Sequence, residues 1–78
     1  MSTAIYDKVI EYITNQLPVS KDDITTATDL TTDLGADSAD LMMLIMDLEM
    51  EYEITVDDDV LAKLKTVGDI VRYIEAHT

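Results

Sequence analysis

Two neighbouring side chains of this 78-residue chain have a clear chemical use, the Asp37 carboxylate and the Ser38 hydroxyl. They follow Gly35, where a stretch rich in Thr and Asp gives way to a helical pattern. Gly35 permits a tight turn there, and an aspartate before a helix can accept hydrogen bonds from its free backbone amides. Ser38 would then begin the helix with its hydroxyl directed to solvent. Because the helix dipole favours negative charge at this end, the position suits a phosphoserine ester.

The spacing of apolar residues predicts the two longer helices on either side of this stretch. Apolar residues recur every three to four positions over a first helix from about Thr3 to Gln16, with Ser2 or Thr3 as its cap. The only proline of the chain follows and ends this pattern. A second amphipathic helix is predicted from Ser38 to about Glu51.

Two shorter helices are expected after the second one. An acidic triplet at residues 57–59 precedes three apolar residues, and carboxylates favour the positive end of a short helix. Thr66, with Asp69 three positions later, predicts a capping box at the start of the last helix. The buried stripe of that helix would consist of Val67, Ile70, Val71 and Ile74.

Residues 18–36 show no sustained apolar period and predict a long loop. We expect its isolated apolar residues, Ile24, Leu30 and Leu34, to pin it to the helices. Residues 54–56 have the composition of a strand, but a single strand would have nothing to pair with. The sequence therefore predicts an all-α protein, a four-helix bundle with a long first loop and a short third helix, in which residues 1–78 form a single domain.

Composition and charge restrict the function. Seventeen acidic residues against five basic ones give a net charge of -12, which repels nucleic acid and favours partners with basic surfaces. No apolar run approaches the length of a membrane span, and no signal segment is evident, so a cytoplasmic location without a membrane span is expected. The chain has no cysteine. Any sulfur nucleophile would therefore have to arrive on a prosthetic group.

The second helix has two apolar sides. At about 100° per residue, its leucines and isoleucine lie on one side and would face the core, whereas Ala39, Met43, Met46 and Met50 lie on the opposite side. We expect the second set to dock partners, flanked by the carboxylates of Asp40, Asp47 and Glu49. The alternative is that some of these methionines pack under the long loop, Met46 before the others.

The motif Asp29-Leu30, followed by Leu34-Gly35-Ala36-Asp37-Ser38 and an acidic amphipathic helix, resembles the acyl carrier protein family over essentially the whole chain. The chain departs from the family's usual residues at Ala39, where leucine is common, and at Met43 and Met50, where glutamates are common.

The resemblance implies a non-enzymatic carrier. A phosphopantetheinyl transferase would move 4'-phosphopantetheine from coenzyme A onto Ser38, with Asp37 completing the motif. The arm would then hold acyl intermediates as thioesters for fatty-acid, polyketide or related specialised biosynthesis. The partners implied are acyl-transferring, condensing or acyl-activating enzymes, and the carrier would be a monomer.

Three other interpretations compete with the carrier. An unmodified acidic module could dock through the methionine-bearing helix. A serine hydrolase is disfavoured because the only histidine, His77, is far from Ser38 in sequence, and we assign it no function. A calcium loop starting at Asp29 fails because its sixth position is Leu34 instead of glycine and its twelfth is Asp40 instead of glutamate, so no metal site is predicted.

Overall fold

The computed structural model describes residues 3–78, which form four α-helices joined by loops. They are α1 (Thr3–Gln16), α2 (Ser38–Tyr52), α3 (Asp58–Leu61) and α4 (Val67–His77). The predicted all-α class is confirmed, with the first helix at its expected bounds and the second longer by one residue. Of the two caps suggested for α1, Ser2 lies outside the described residues.

The core is formed mainly by one face of each long helix. α1 packs against both α2 and α4, and the three helices bury branched apolar side chains between them. The predicted stripe of α4 is buried. On the core-facing side of α2, Leu44, Ile45 and Leu48 are buried, whereas Leu41 is only partly buried. The largest side chains with almost no exposed surface are Ile13, Leu30, Leu48, Ile70, Ile74, Val9, Val67 and Val71.

The loop between α1 and α2 is pinned largely as predicted. It contains one 3-10 turn (Lys21–Asp23), and both Ile24 and Leu30 are buried. Leu34 is only partly buried and packs at the edge of the core, so the expectation that its side chain anchors the loop in the core as Leu30 does was wrong. Ala36 is buried instead, because Gly35 adopts φ +72° and the Ala36 amide then donates to the Leu30 carbonyl at 3.0 Å.

Backbone hydrogen bonds fasten this loop to the start of α4. The Leu30 amide donates to the Lys65 carbonyl at 3.0 Å, and the Val67 amide donates to the Thr28 carbonyl at 3.0 Å. The Gly68 amide reaches the Thr26 carbonyl at 2.9 Å. We call this set of contacts, between residues 26–30 and 65–68, the loop seam. Two of its bonds satisfy amides in the first turn of α4 that have no partner within the helix.

The loop seam depends on close approach of two backbones. A Cβ atom built on Gly68 would lie 2.9 Å from the Thr26 carbonyl oxygen, which is closer than side chains tolerate. The seam also includes an isolated bridge between Asp29 and Thr66, and residues 54–56 form no strand. The only strand-like pairing in the described part of the chain therefore joins the long loop to α4.

We predict that Leu30→Ala lowers the free energy of unfolding by about 2–5 kcal/mol, because it leaves a cavity where the loop meets the core. Leu34→Ala should cost less, about 1 kcal/mol, since that side chain is partly exposed. Urea denaturation measures both, with the exposed Thr31→Ala as the control. Equal losses for the two leucine variants would contradict the difference in pinning seen here.

The predicted capping box at the start of α4 is present, and the carboxylate of Asp69 is part of it. Burial of the Asp69 carboxylate raises its pKa, but hydrogen bonds from the backbone amides of Thr66 and Lys65, from the Thr66 side chain and from Arg72 outweigh this effect. The net result is that the pKa of Asp69 lies below its ordinary value of 3.8. A lowered pKa stabilises the fold above the pKa of the unfolded chain, and this contribution is lost as the pH falls through the folded-state pKa.

Asp69→Asn should therefore lower the free energy of unfolding by about 1 kcal/mol at neutral pH, a typical effect for a helix cap. The free-energy gap to the unchanged protein should narrow as the pH falls below 3.8 and through the lower folded-state pKa, because the carboxyl of the folded protein is also protonated there. Urea midpoints across the acid range test this, with the exposed Asp59→Asn as the control. A gap that does not change with pH would show that the charge of Asp69 is not the stabilising feature.

Candidate functional site

The site is built around the first residue of α2. Asp37 is the N-cap, and its carboxylate accepts the amide of Asp40 at 2.8 Å. In return, the Asp40 carboxylate accepts the amide of Asp37 at 3.3 Å, which completes a capping box. The predicted cap at Asp37 is thus present, and it places Ser38 at the first helical position.

The Ser38 hydroxyl is exposed, and it has no hydrogen-bond partner among residues 3–78. Because Asp37 satisfies the helix amide, the hydroxyl is not needed as a cap and stays available for reaction. No general base is within hydrogen-bond reach of it in the described part of the chain. The Nδ1 atom of His77 lies 2.8 Å from the Tyr73 carbonyl, at the end of another helix. The site therefore offers an exposed hydroxyl, and the residues that the structure describes place no histidine beside it.

A groove of about 480 Å³ runs beside Ser38. One wall belongs to α2, with Leu41 and Met42, and another belongs to the segment around α3, with Leu61 and Leu64. The polar part of the lining is supplied by Asp29, Thr31, Thr32 and Lys65. A linear group attached to the Ser38 oxygen could thus lie against the protein.

The methionine side of α2 is exposed, as the helical spacing predicted. The exposed fractions are 57% for Met43, 56% for Met46 and 79% for Met50, and Ala39 is exposed as well. The alternative in which Met46 packs under the loop is therefore wrong. Sequence reasoning missed Met42, which is 51% exposed and borders the groove. Its position between Leu41 and Met43 was the available signal, because a residue there falls at the margin of the core-facing side.

Two of the three carboxylates expected along this side are used within the fold. The Asp40 carboxylate belongs to the capping box, and the Glu49 carboxylate accepts the Val56 amide at 2.8 Å. The Asp47 side chain is exposed, and its carboxylate forms no hydrogen bond or ion pair with any residue that the structure describes. Asp47 is thus the carboxylate of the three that is free to meet a partner.

A further acidic contact borders this side at the junction of α1 and α2. The Tyr12 hydroxyl donates to Glu51 at 2.7 Å. That hydrogen bond, together with burial and the negative charge of Glu51, raises the pKa of Tyr12 to about 12. Tyr12 is therefore neutral at physiological pH and links the two helices.

The carboxylates of the suspected calcium loop serve as turn acceptors. One oxygen of Asp29 accepts the amides of Thr31 and Thr32, and Asp33 accepts the Asp29 amide at 2.8 Å. Over residues 3–78, no group of three or more potential ligand side chains is arranged to hold a metal ion. Nor, over the same residues, is any helix long and apolar enough to cross a membrane.

Comparison with known proteins gives the family. Residues 7–74 match the family model described as the phosphopantetheine attachment site. An acyl carrier protein from Clostridium perfringens is 46% identical over 74 residues, which cover 95% of this chain and 97% of the relative. One from Thermotoga maritima is 49% identical over 71 residues, covering 91% and 88%.

A solved structure agrees with these relatives. The acyl carrier protein from Enterococcus faecalis matches this fold with a TM-score of 0.85 and 31% sequence identity, covering 96% of this chain and 95% of that one. Family model, relatives and fold all span nearly the whole length described above. The chain therefore belongs to the acyl carrier protein family, with its phosphopantetheine attachment site.

Proposed function

We propose that Ser38 carries the 4'-phosphopantetheine arm and that the chain holds acyl intermediates on that arm as thioesters. The observation that supports this best is the exposed Ser38 hydroxyl, which the Asp37 cap leaves without a structural task. Members of this family are carriers and not enzymes.

The residues of the site fit the arm chemically. In the transfer, the Ser38 oxygen forms a bond to the phosphorus of the phosphopantetheine half of coenzyme A. The pyrophosphate bond breaks, adenosine bisphosphate leaves, and a base of the transferase takes the hydroxyl proton. The resulting phosphodiester is an anion at the N-terminus of α2, where the helix dipole stabilises it. When bound, the arm supplies the thiol that this cysteine-free chain lacks.

The groove beside Ser38 would receive the arm. Its apolar walls, Leu41, Met42, Leu61 and Leu64, suit a flexible chain with few charges. The groove is open, so the arm can leave it to enter a partner enzyme.

The partners are a phosphopantetheinyl transferase and acyl-handling enzymes, and we propose that they approach along the methionine side of α2. Met43, Met46 and Met50 offer a flexible apolar surface next to Ser38, which suits a carrier that meets several partners. The Asp47 carboxylate would pair with a Lys or Arg at the rim of the partner's docking surface. Asp40 and Glu49 would act mainly by adding to the negative electrostatic potential around α2.

We further propose that the carrier is monomeric and cytoplasmic. Its net charge of -12 opposes association between copies. Fatty-acid, polyketide and related specialised pathways all use this chemistry, so any of them could supply the cargo. The alternative function is an unmodified acidic module that docks through the same methionines.

The attachment is tested by incubating the apo chain with coenzyme A and a broad-specificity phosphopantetheinyl transferase. Intact mass spectrometry should show one phosphopantetheinyl group added, and none in Ser38→Ala. Ser20→Ala, which alters another exposed serine, should be modified normally. No mass gain in the unchanged chain would favour the unmodified module, and a gain that persists in Ser38→Ala would place the arm on another residue.

The docking surface is tested by binding kinetics against the same transferase. Met43→Glu should shorten the lifetime of the complex because it places a charge in the apolar contact, while changing the free energy of unfolding by no more than about 0.5 kcal/mol. Asp47→Lys should slow association and reduce its dependence on salt. Ala76→Glu, an exposed site on α4, controls for added charge. Unchanged kinetics in both α2 variants would place the docking surface elsewhere.

A further inference from the structure

Lys65 is the one basic residue in the lining of the groove beside Ser38. The chain has only five basic residues, and two of them are committed to ion pairs along their own helices. Lys8 lies 3.3 Å from Glu11, and Arg72 lies 2.8 Å from Asp69. Lys65 forms no ion pair with any residue in the range 3–78, so its ammonium is available to a ligand.

The backbone of Lys65 is held firmly on both sides. Its carbonyl accepts the Leu30 amide at 3.0 Å, and its amide donates to the Asp69 carboxylate at 3.2 Å. These bonds belong to the loop seam and to the cap of α4. They position the lysine beside the loop that leads to Ser38, while its side chain stays exposed.

The charged side chains next to Ser38 are negative, so a nearby cation would reduce the electrostatic repulsion of a phosphodiester there. A phosphodiester on Ser38 would add a negative charge beside Asp37 and Asp40 in a chain that already carries -12. Asp29 is the acidic residue of the groove lining, and its carboxylate accepts the amides of Thr31 and Thr32 at 2.9 and 2.8 Å. Lysine is a common point-charge partner for phosphate.

We propose that Lys65 is a positioning residue for the arm, binding the phosphodiester on Ser38 and directing the arm into the groove. This inference rests on the proposed attachment at Ser38. The phosphodiester is favoured over a carboxylate on the cargo because it is joined directly to the Ser38 oxygen, whereas the cargo is at the far end of the arm. The Lys65 ammonium thus offsets part of the electrostatic repulsion between the phosphodiester and the carboxylates around it.

The test compares Lys65→Gln with Lys63→Gln in the holo protein. Lys63 is an exposed lysine two residues earlier that does not belong to the groove lining, so both variants lose one positive charge. Mass spectrometry first establishes that each variant carries the arm on Ser38. The readouts are the phosphorus NMR shift of the phosphodiester and the difference between holo and apo urea midpoints, at low and high salt.

We expect Lys65→Gln to move the phosphorus resonance and to lower the holo midpoint relative to the apo midpoint, with Lys63→Gln close to the unchanged protein. High salt should remove the difference, because it screens exposed charges. Equal behaviour of the two variants, with the arm present, would overturn the role of Lys65 and leave the proposed function intact. Failure of the arm to attach to the unchanged protein would instead overturn the proposed function, and failure in Lys65→Gln alone would show that the lysine acts before the arm is attached and overturn the role proposed here.

A third arm of the experiment addresses the cargo carboxylate. The holo protein is loaded with a malonyl or an acetyl group, which differ by a carboxylate, and the midpoints are compared in both lysine variants. If Lys65→Gln affects only the malonyl form and leaves the phosphorus resonance unchanged, the lysine binds cargo and the proposal is wrong.

Discussion

The loop seam is the constraint on which the site depends. Three backbone hydrogen bonds join residues 26–30 to residues 65–68, and buried Leu30 anchors the same stretch in the core. Through the bond from the Ala36 amide to the Leu30 carbonyl, the seam also sets where the loop ends and α2 begins. It brings Lys65 and the loop threonines to one groove with Ser38. Because these are backbone bonds at the end of a helix, they satisfy polar groups that would otherwise be left without partners.

The acidic residues act at two levels. Some have local structural tasks: Asp37 and Asp40 start α2, Asp69 starts α4, and Glu49 holds the segment after α2. Together with the solvated carboxylates, they also generate the negative field that favours basic partners. The two roles cannot be separated at Asp40, because a charge-reversing substitution there would weaken both the cap of α2 and the negative electrostatic potential. At Asp47 the two roles are separate, since its exposed carboxylate forms no hydrogen bond or ion pair with the rest of the described chain.

The proposed site combines a rigid attachment point with an adaptable docking surface. Ser38, the proposed attachment point, lies at a capped helix start, so its position relative to the groove is fixed. Met43, Met46 and Met50 lie farther along the same helix, and their flexible side chains can adapt to different partners. A carrier needs both properties, because its arm must be presented from one point to enzymes of different shape. The chemistry itself belongs to those enzymes.

The sequence by itself determined what depends on neighbours along the chain. Helix spacing, the caps at Asp37 and Thr66 and the exposure of the methionine side all follow from local periodicity and side-chain chemistry, so they were predicted correctly. Only the tertiary structure decided that Ala36 is buried where Leu34 was expected to be, that the Glu49 carboxylate accepts the Val56 amide, and that Lys65 lines the same groove as Ser38. The first depends on the conformation of the turn at Gly35, and the others depend on contacts between segments separated in sequence. The sequence indicated that a turn occurs at Gly35, but not which side chain the turn would bury or which segments would meet.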